Sequence, residues 1–318
     1  MTSHMTIEGV IPPVATPLDA SGDVDTASLK RLIEFQIVAG VNALWILGGT
    51  GEFQSLTDRQ RQLVAQTAIE SVAGRIPVLV GAMDVATARC IEQGRRLKAS
   101  GADAIFVSPP LFVPATQAEI KAHCRSIHEA VDLPLVLYDA RFETHTPIDF
   151  DTVHELAEEG TICGLKDSSG DWITFRQLVV EFSGIPNFAF LTGNEYMMDA
   201  ALLMGAQGAI PTTANVIPEW YVALFSAARA GDWPKAARLQ NRAVAINRFT
   251  RCGNPDGSYT TRFFIGLKSA LKARGLIDTT VVGAPFLQPT AKDEADVRAI
   301  LVAEGVALQP VPADLSAI

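Results

Sequence analysis

Cysteine is scarce in this chain. Four occur in 318 residues (Cys90, Cys124, Cys163 and Cys252), scattered, with no CxxC pair. That spacing excludes a disulfide framework and a thiolate metal cluster, and it predicts reduced thiols in a cytoplasmic protein. Positive charge is also short. Lys and Arg number 26 against 35 Asp and Glu, the net charge is −9, and no basic run occurs. Nucleic acid and anionic membrane surfaces are therefore poor partners. Small anions stay open, because a few local donors can outweigh the global field. No apolar run is long enough to span a bilayer, and no signal-peptide pattern opens the chain. Met1–Met5 reads as a cloning remnant. The five histidines (His4, His123, His128, His145 and His154) show no ligand pattern. His123 and His128 fall in one predicted helix, but five apart, on different faces. No metal and no cofactor is expected. A nucleophile elbow for Ser-His-Asp hydrolysis is missing.

Hydrophobic residues, by contrast, make up 48% of the chain, enough for a well-filled core. Eight short β-rich runs recur at fairly even spacing: Gly9–Thr16, Ala43–Gly49, Pro77–Met83, Ala104–Ser108, Leu133–Asp139, Ile162–Lys166, Phe188–Gly193 and Gly208–Thr213. They are continuously apolar, as strands buried on both faces should be. Amphipathic segments lie between them. Thr57-Asp58-Arg59-Gln60 is a capping-box pattern. Ala86–Ser100 stops at Gly101, Asp149–Glu159 at Gly160, and Glu195–Met204 at Gly205, each a C-cap signal. Thr116–Val131 and Phe175–Phe182 complete the set. Strand and helix alternating eight times predict an α/β fold, a (β/α)8 barrel. A doubly wound open sheet is the competitor, but no GxGxxG follows the first strand. The expected division is a catalytic barrel over 6–230 and a helical C-terminal region over 231–318. In that region Pro234–Thr250, Thr260–Arg274 and Lys292–Glu304 read as helices. Their apolar faces (Leu239, Ala243, Ile246; Phe264, Leu267, Leu271) need cover on the barrel or on another subunit.

In a barrel of this kind the active site lies at the carboxyl ends of the strands. Lys166 ends the sixth run. The other seven lysines, Lys268 among them, fall in helical or loop patterns where the charged head is expected to reach water. Burial disfavours an ammonium and lowers its pKa, which makes an amine nucleophilic near neutral pH. Taken alone, Lys166 also fits a lysine snorkelling to solvent. Gly48-Gly49-Thr50-Gly51, before Glu52, could aim backbone N–H groups at a carboxylate, or be an ordinary strand-to-helix turn. Tyr138 ends the fifth run, where its hydroxyl could pass protons, although core aromatics are common.

Together these residues resemble a known family. Gly48-Gly49-Thr50-Gly51-Glu52, Tyr138 and Gly164-Leu165-Lys166-Asp167-Ser168-Ser169-Gly170-Asp171 are similar to the dihydrodipicolinate synthase / N-acetylneuraminate lyase family. Tyr138 precedes Lys166 by 28 residues, the family spacing. The likeness continues through Gly205–Ile210, Thr213-Ala214-Asn215 and Leu267–Lys272, so it covers nearly the whole chain. The resemblance implies a class I aldolase or dehydratase acting on pyruvate or larger 2-oxo acids. Lys166 would form an imine with the 2-oxo carbon and Tyr138 would relay protons. Thr50, with the amides around Gly49, would hold the carboxylate, and Ile210 would line the pyruvyl group. A homotetramer or dimer is implied as well.

The departures bear on the substrate. Dihydrodipicolinate synthases of this family usually read Gly-Thr-Thr-Gly-Glu, with the first threonine in a relay with two tyrosines. Gly49 stands at that position, and no tyrosine occurs at Pro110-Leu111-Phe112. Their arginine five residues after the tyrosine is Glu143 here, with Arg141 nearby. Gly-Gly-Thr-Gly-Glu-Phe looks more like the sugar-acid members, in which Ser168, Asn194 and Glu195 would contact distal hydroxyls. The expectation is a 2-keto-3-deoxy sugar acid aldolase or dehydratase. Dihydrodipicolinate synthase, and a non-catalytic barrel that binds a 2-oxo acid, are the alternatives.

Overall fold

The computed structural model describes residues 7–308; the Met1–Met5 segment and His4 lie outside the described residues. All eight expected strands form, as one sheet in the order β1-β8-β7-β6-β5-β4-β3-β2. They are β1 (Gly9–Val10), β2 (Leu44–Ile46), β3 (Val78–Gly81), β4 (Ala104–Val107), β5 (Leu135–Asp139), β6 (Gly164–Asp167), β7 (Ala189–Thr192) and β8 (Gly208–Ala209). The pairs from β3 to β8, and β8 with β1, are parallel. The ring closes through Asn42, whose backbone N–H donates to Val10 O at 2.9 Å while its side-chain oxygen accepts from Val10 N–H at 2.8 Å. Eight strands with helices between them and a helical C-terminal part make this a (β/α)8 barrel.

The strands are shorter than their apolar runs, for local reasons. Pro12 and Pro13 follow β1 and carry no N–H to donate to a ladder. β2 stops where Leu47 turns to φ 61°. Pro211 similarly follows β8.

The chain divides into two compact units. The first runs through Ile11, then Asn42–Trp45 and Pro77–Pro211. It holds most of the sheet, with helices α3 (Thr87–Ser100), α4 (Gln117–Val131), α5 (Arg141–Thr144), α6 (Phe150–Glu158), α7 (Trp172–Phe182) and α8 (Met198–Met204). Thr116 and Glu119 box the start of α4. Gly101 ends α3 in the left-handed region at φ 93°, as its position predicts. Two helices begin away from their expected residues. α7 starts earlier, because the Asp171 carboxylate accepts the Ile173 and Thr174 N–H groups. α8 starts later, because Asn194 Oδ1 takes the Tyr196 N–H in a turn of its own.

The second unit comprises Pro12–Val41, Ile46–Ile76 and the chain from Thr212 onward. It contains helices α1 (Thr26–Val38), α2 (Asp58–Val72), α9 (Pro218–Arg229), α10 (Trp233–Ile246), α11 (Tyr259–Ala273) and α12 (Ala291–Ala303). The Thr57–Gln60 capping box opens α2 as expected. Ala243, Ile246, Phe264, Leu267 and Leu271 are buried within the single chain, and Leu239 is half-buried. These faces are therefore covered largely within the chain. One lysine departs from expectation. Lys268 of α11 does not reach water; it is 1% exposed.

Candidate active site

β5 and β6 are parallel neighbours whose register sets Tyr138 beside Lys166 and Asp139 beside Asp167. Side chains alternate along a strand, so Tyr138 and Lys166 share one face. Lys166 is 5% exposed. Its Nζ stands 4.2 Å from the Tyr138 ring centroid and 4.9 Å from that of Trp45, both within cation–π range. Trp45 stacks on Phe106 with centroids 3.6 Å apart, and Tyr138 meets both rings edge-on. The amine thus sits against aromatic faces and has no ion-pair partner among the described residues. Burial pulls its pKa down from 10.5 to about 7, while the more distant Glu143 and Glu195 charges pull the other way. A large fraction of free amine near neutrality follows.

Tyr138 is itself buried. Withdrawal from water raises its phenol pKa above the ordinary value, the Glu143 charge adds to the rise, and a hydrogen bond with the Ser168 side chain opposes it. The phenol therefore stays protonated and can donate to a developing oxyanion or amine. Ser168, at the end of β6, is placed by what its neighbour lacks. A Cβ at Gly193 would overlap Ser168 Oγ and come 3.1 Å from Lys166 Cε. Glycine at that position leaves room for both side chains.

Beyond this pair, the Arg141–His145 stretch forms α5, closed by His145 at φ 54°. Arg141 turns back to Asp139, with its Nη2 2.9 Å from Oδ2. Glu143 borders solvent, and its carboxyl pKa is raised by partial desolvation against the pull of the Lys166 charge. Asn194 and Glu195 are half-buried after β7. Ile210 is buried, and its N–H donates to Thr192 O at 2.8 Å. The first unit therefore brings Lys166, Tyr138 and Ser168 together and carries Arg141, Asn194, Glu195 and Ile210.

Gly49 and Thr50 belong to the second unit, in a one-turn 3-10 helix over Gly49–Gly51. Amides at the start of such a turn have no partner within it. Thr50 Oγ1 lies 3.1 Å from Thr212 Oγ1, and Gly51 O accepts the Thr16 hydroxyl at 2.7 Å. Glu52 follows in the left-handed region at φ 56°. Its side chain is buried against Lys268, with Oε1 2.5 Å from Nζ.

The aromatic wall of Trp45 and Phe106, the gap at Gly193 and the Glu52–Lys268 pair all escape the sequence reading. Lys268 did carry a signal. It lies four residues after Phe264 and three before Leu271, on the buried face of α11.

Known proteins resemble this chain in sequence and in fold. The model of the "Dihydrodipicolinate synthetase family" matches residues 6–304. A 4-hydroxy-tetrahydrodipicolinate synthase of Hyphomonas neptunium is 33% identical over 298 residues, covering 94% of this chain and 98% of the relative. One from Exiguobacterium sibiricum is 34% identical, covering 89% and 92%. Among solved structures, a prophage protein of E. coli K12 from the dihydrodipicolinic acid synthase family, in complex with pyruvate, superposes with a TM-score of 0.88. Its identity is 28%, over 95% of this chain and 99% of the other. The dihydrodipicolinate synthase of Bacteroides thetaiotaomicron also gives 0.88, at 31% identity over 94% and 99%. With nearly its whole length matched in sequence and in fold, this chain belongs to the dihydrodipicolinate synthetase family.

Proposed function

We propose that this protein is a Schiff-base-forming lyase acting on pyruvate or a larger 2-oxo acid, with Lys166 as the nucleophile. The observation that carries the reading is the buried Lys166 amine, set against Tyr138 and Trp45 without an ion pair among the described residues. The free amine attacks the 2-oxo carbon, the carbinolamine loses water, and an imine forms. Once protonated, the imine draws electrons from the third carbon. From there the bond to the fourth carbon breaks or forms, or a hydroxyl on the fourth carbon leaves as water. Hydrolysis then returns the free lysine. Tyr138 donates and accepts the protons these steps move. Family resemblance gives the substrate carboxylate to Gly49 and Thr50, and the wall of the pyruvyl group to Ile210.

A hydroxylated tail, as in a 2-keto-3-deoxy sugar acid, fits the distal residues best. Ser168, Asn194 and Glu195 offer hydroxyl, amide and carboxylate partners. Glu143 stands where the lysine-biosynthetic members carry an arginine, and its charge disfavours a second carboxylate on the substrate. Arg141 is already engaged by Asp139. The second reading is 4-hydroxy-tetrahydrodipicolinate synthase, which the names of the relatives favour.

Borohydride reduction in the presence of a 2-oxo acid, followed by peptide mass mapping, tests the mechanism. The expected result is one adduct, on Lys166; an unmodified Lys166 would overturn the imine. A panel of deoxy sugar acids beside a coupled assay with pyruvate and aspartate semialdehyde separates the two substrate readings. A third possibility, a barrel that binds 2-oxo acids without turnover, is supported if pyruvate binds and no panel substrate reacts.

A further inference from the structure

Lys268 sits on α11, far along the chain from any strand end, yet its ammonium meets Glu52, the residue that closes the Gly48–Gly51 turn of the same unit. Its Nζ lies 2.5 Å from Glu52 Oε1 and donates to Val281 O at 2.6 Å. Glu52 Oε2 accepts the Gly283 N–H at 2.8 Å. The two charged side chains are 2% and 1% exposed. Lys268 is the ion-pair partner of Oε1 among the described residues, and that oxygen accepts no geometrically well-formed hydrogen bond there. The fit around Gly283 is close: a Cβ there would lie 3.2 Å from Glu52 Oε2 and 2.8 Å from Ser55 Cβ.

What this contact holds is the exit of the Gly48–Gly51 turn. Glu52 N–H donates to Gly49 O at 3.0 Å, and Ser55 N–H to Glu52 O at 2.8 Å. Glu52 keeps φ at 56°, a conformation a non-glycine residue adopts only when its surroundings hold it there. Upstream, Gly51 is fixed by the Thr16 hydroxyl. Asn215 ties the neighbouring backbone together. Its Nδ2 donates to Pro13 O and Thr212 O, and its Oδ1 accepts from Ala15 N–H and the Gln36 amide. In this network Lys268 and Glu52 are the charged pair.

We infer that Lys268 is a positioning residue: it locks Glu52, and through Glu52 fixes the Gly49–Thr50 amides and the Thr50 hydroxyl that receive the substrate carboxylate. This rests on the reading of that turn given above. The C-terminal helices thereby help bind a group they do not touch. A turn released at Glu52 still contains every donor, but no longer presents them in one fixed geometry, and small misplacements of binding groups are costly.

The test is titration of borohydride-trapped pyruvate by intact mass, on wild type, Lys268→Met and the double variant Glu52→Gln/Lys268→Met. Lys166 stays in all three, so saturating pyruvate should still label them fully. In Lys268→Met the half-saturating pyruvate concentration should rise by about tenfold or more, with the labelled fraction at saturation unchanged. A folded Lys268→Met protein with wild-type half-saturation would overturn the proposal, leaving Lys268 a stabilising residue only. Should Lys268→Met fail to fold, the double variant, which buries no charge, carries the test. Its half-saturation should remain raised by about threefold or more, and a wild-type value there would overturn the proposal equally. Wild type that traps no 2-oxo acid would instead overturn the imine reading, and this inference with it.

Discussion

Lys166 and Lys268 are almost equally withdrawn from water, at 5% and 1% exposed, yet their surroundings differ in kind. Around Lys166 the neighbours are aromatic faces, and no anion lies within ion-pair reach among the described residues. Around Lys268 the ammonium meets two acceptors, the Glu52 carboxylate at 2.5 Å and the Val281 carbonyl at 2.6 Å. Burial lowers both pKa values, but Glu52 resists the fall at Lys268 through both its charge and a hydrogen bond. We read Lys268 as a retained ammonium, because removing its proton would leave a buried carboxylate without a counter-charge. Burial alone therefore does not make a lysine a nucleophile. Burial without a partner does, and burial with one makes a fastener.

The sharpest break in this comparison is at Lys166. Lys166→Ala should reduce turnover and adduct formation to background, measured by product formation and intact mass after borohydride. Lys166→Arg should not restore either, because a guanidinium stays charged. Restored activity in the arginine variant would end the distinction between the two lysines.

Stability should separate them in the opposite sense. Lys268→Met leaves Glu52 buried and unpaired, which costs about 3–5 kcal/mol. Lys166→Met removes a desolvated group that has no ion-pair partner among the described residues, so stability should hold or rise. Urea unfolding of the two variants side by side checks this. Equal losses would mean that Lys166 has a partner after all.

The smallest effect is that of pH on the wild type. The rate of imine formation should rise with pH and reach half its plateau near 7, where Lys166 loses its proton. The linkage has a definite sign. The folded pKa lies below the unfolded one, so the desolvation penalty on stability is full below about 7 and fades as pH rises toward 10.5. Stopped-flow adduct kinetics across this range would show the half-point. A plateau reached only above pH 9 would place Lys166 with an ordinary, solvated amine.

How much of this was legible depended on sequence distance. The barrel could be read because each strand is a continuous apolar run and each helix announces its own ends. Thr57, Thr116 and Gly101 act where they stand in sequence. Tyr138 and Lys166 could be paired because both terminate such runs and the strands between which they lie are neighbours. Lys268 could not be placed with Glu52, although its helical spacing marked a buried face, because its partner is far away in the chain. The same holds for Trp45 and Phe106, which build the wall of the amine pocket from two other strands. The direction of the Arg141 guanidinium, which turns to Asp139, is not legible in the sequence. Side-chain direction in a short loop helix is set by packing that no local pattern encodes.

The fastening of Glu52 also has a meaning in time. Ribosomes make the Gly48–Glu52 turn first, and Lys268, Val281 and Gly283 follow only more than 200 residues later. Until they do, the left-handed residue that closes the turn lacks its counter-charge and the Gly283 N–H. A chain halted before Gly283 would therefore carry the turn's own sequence without the full set of groups that fasten its exit.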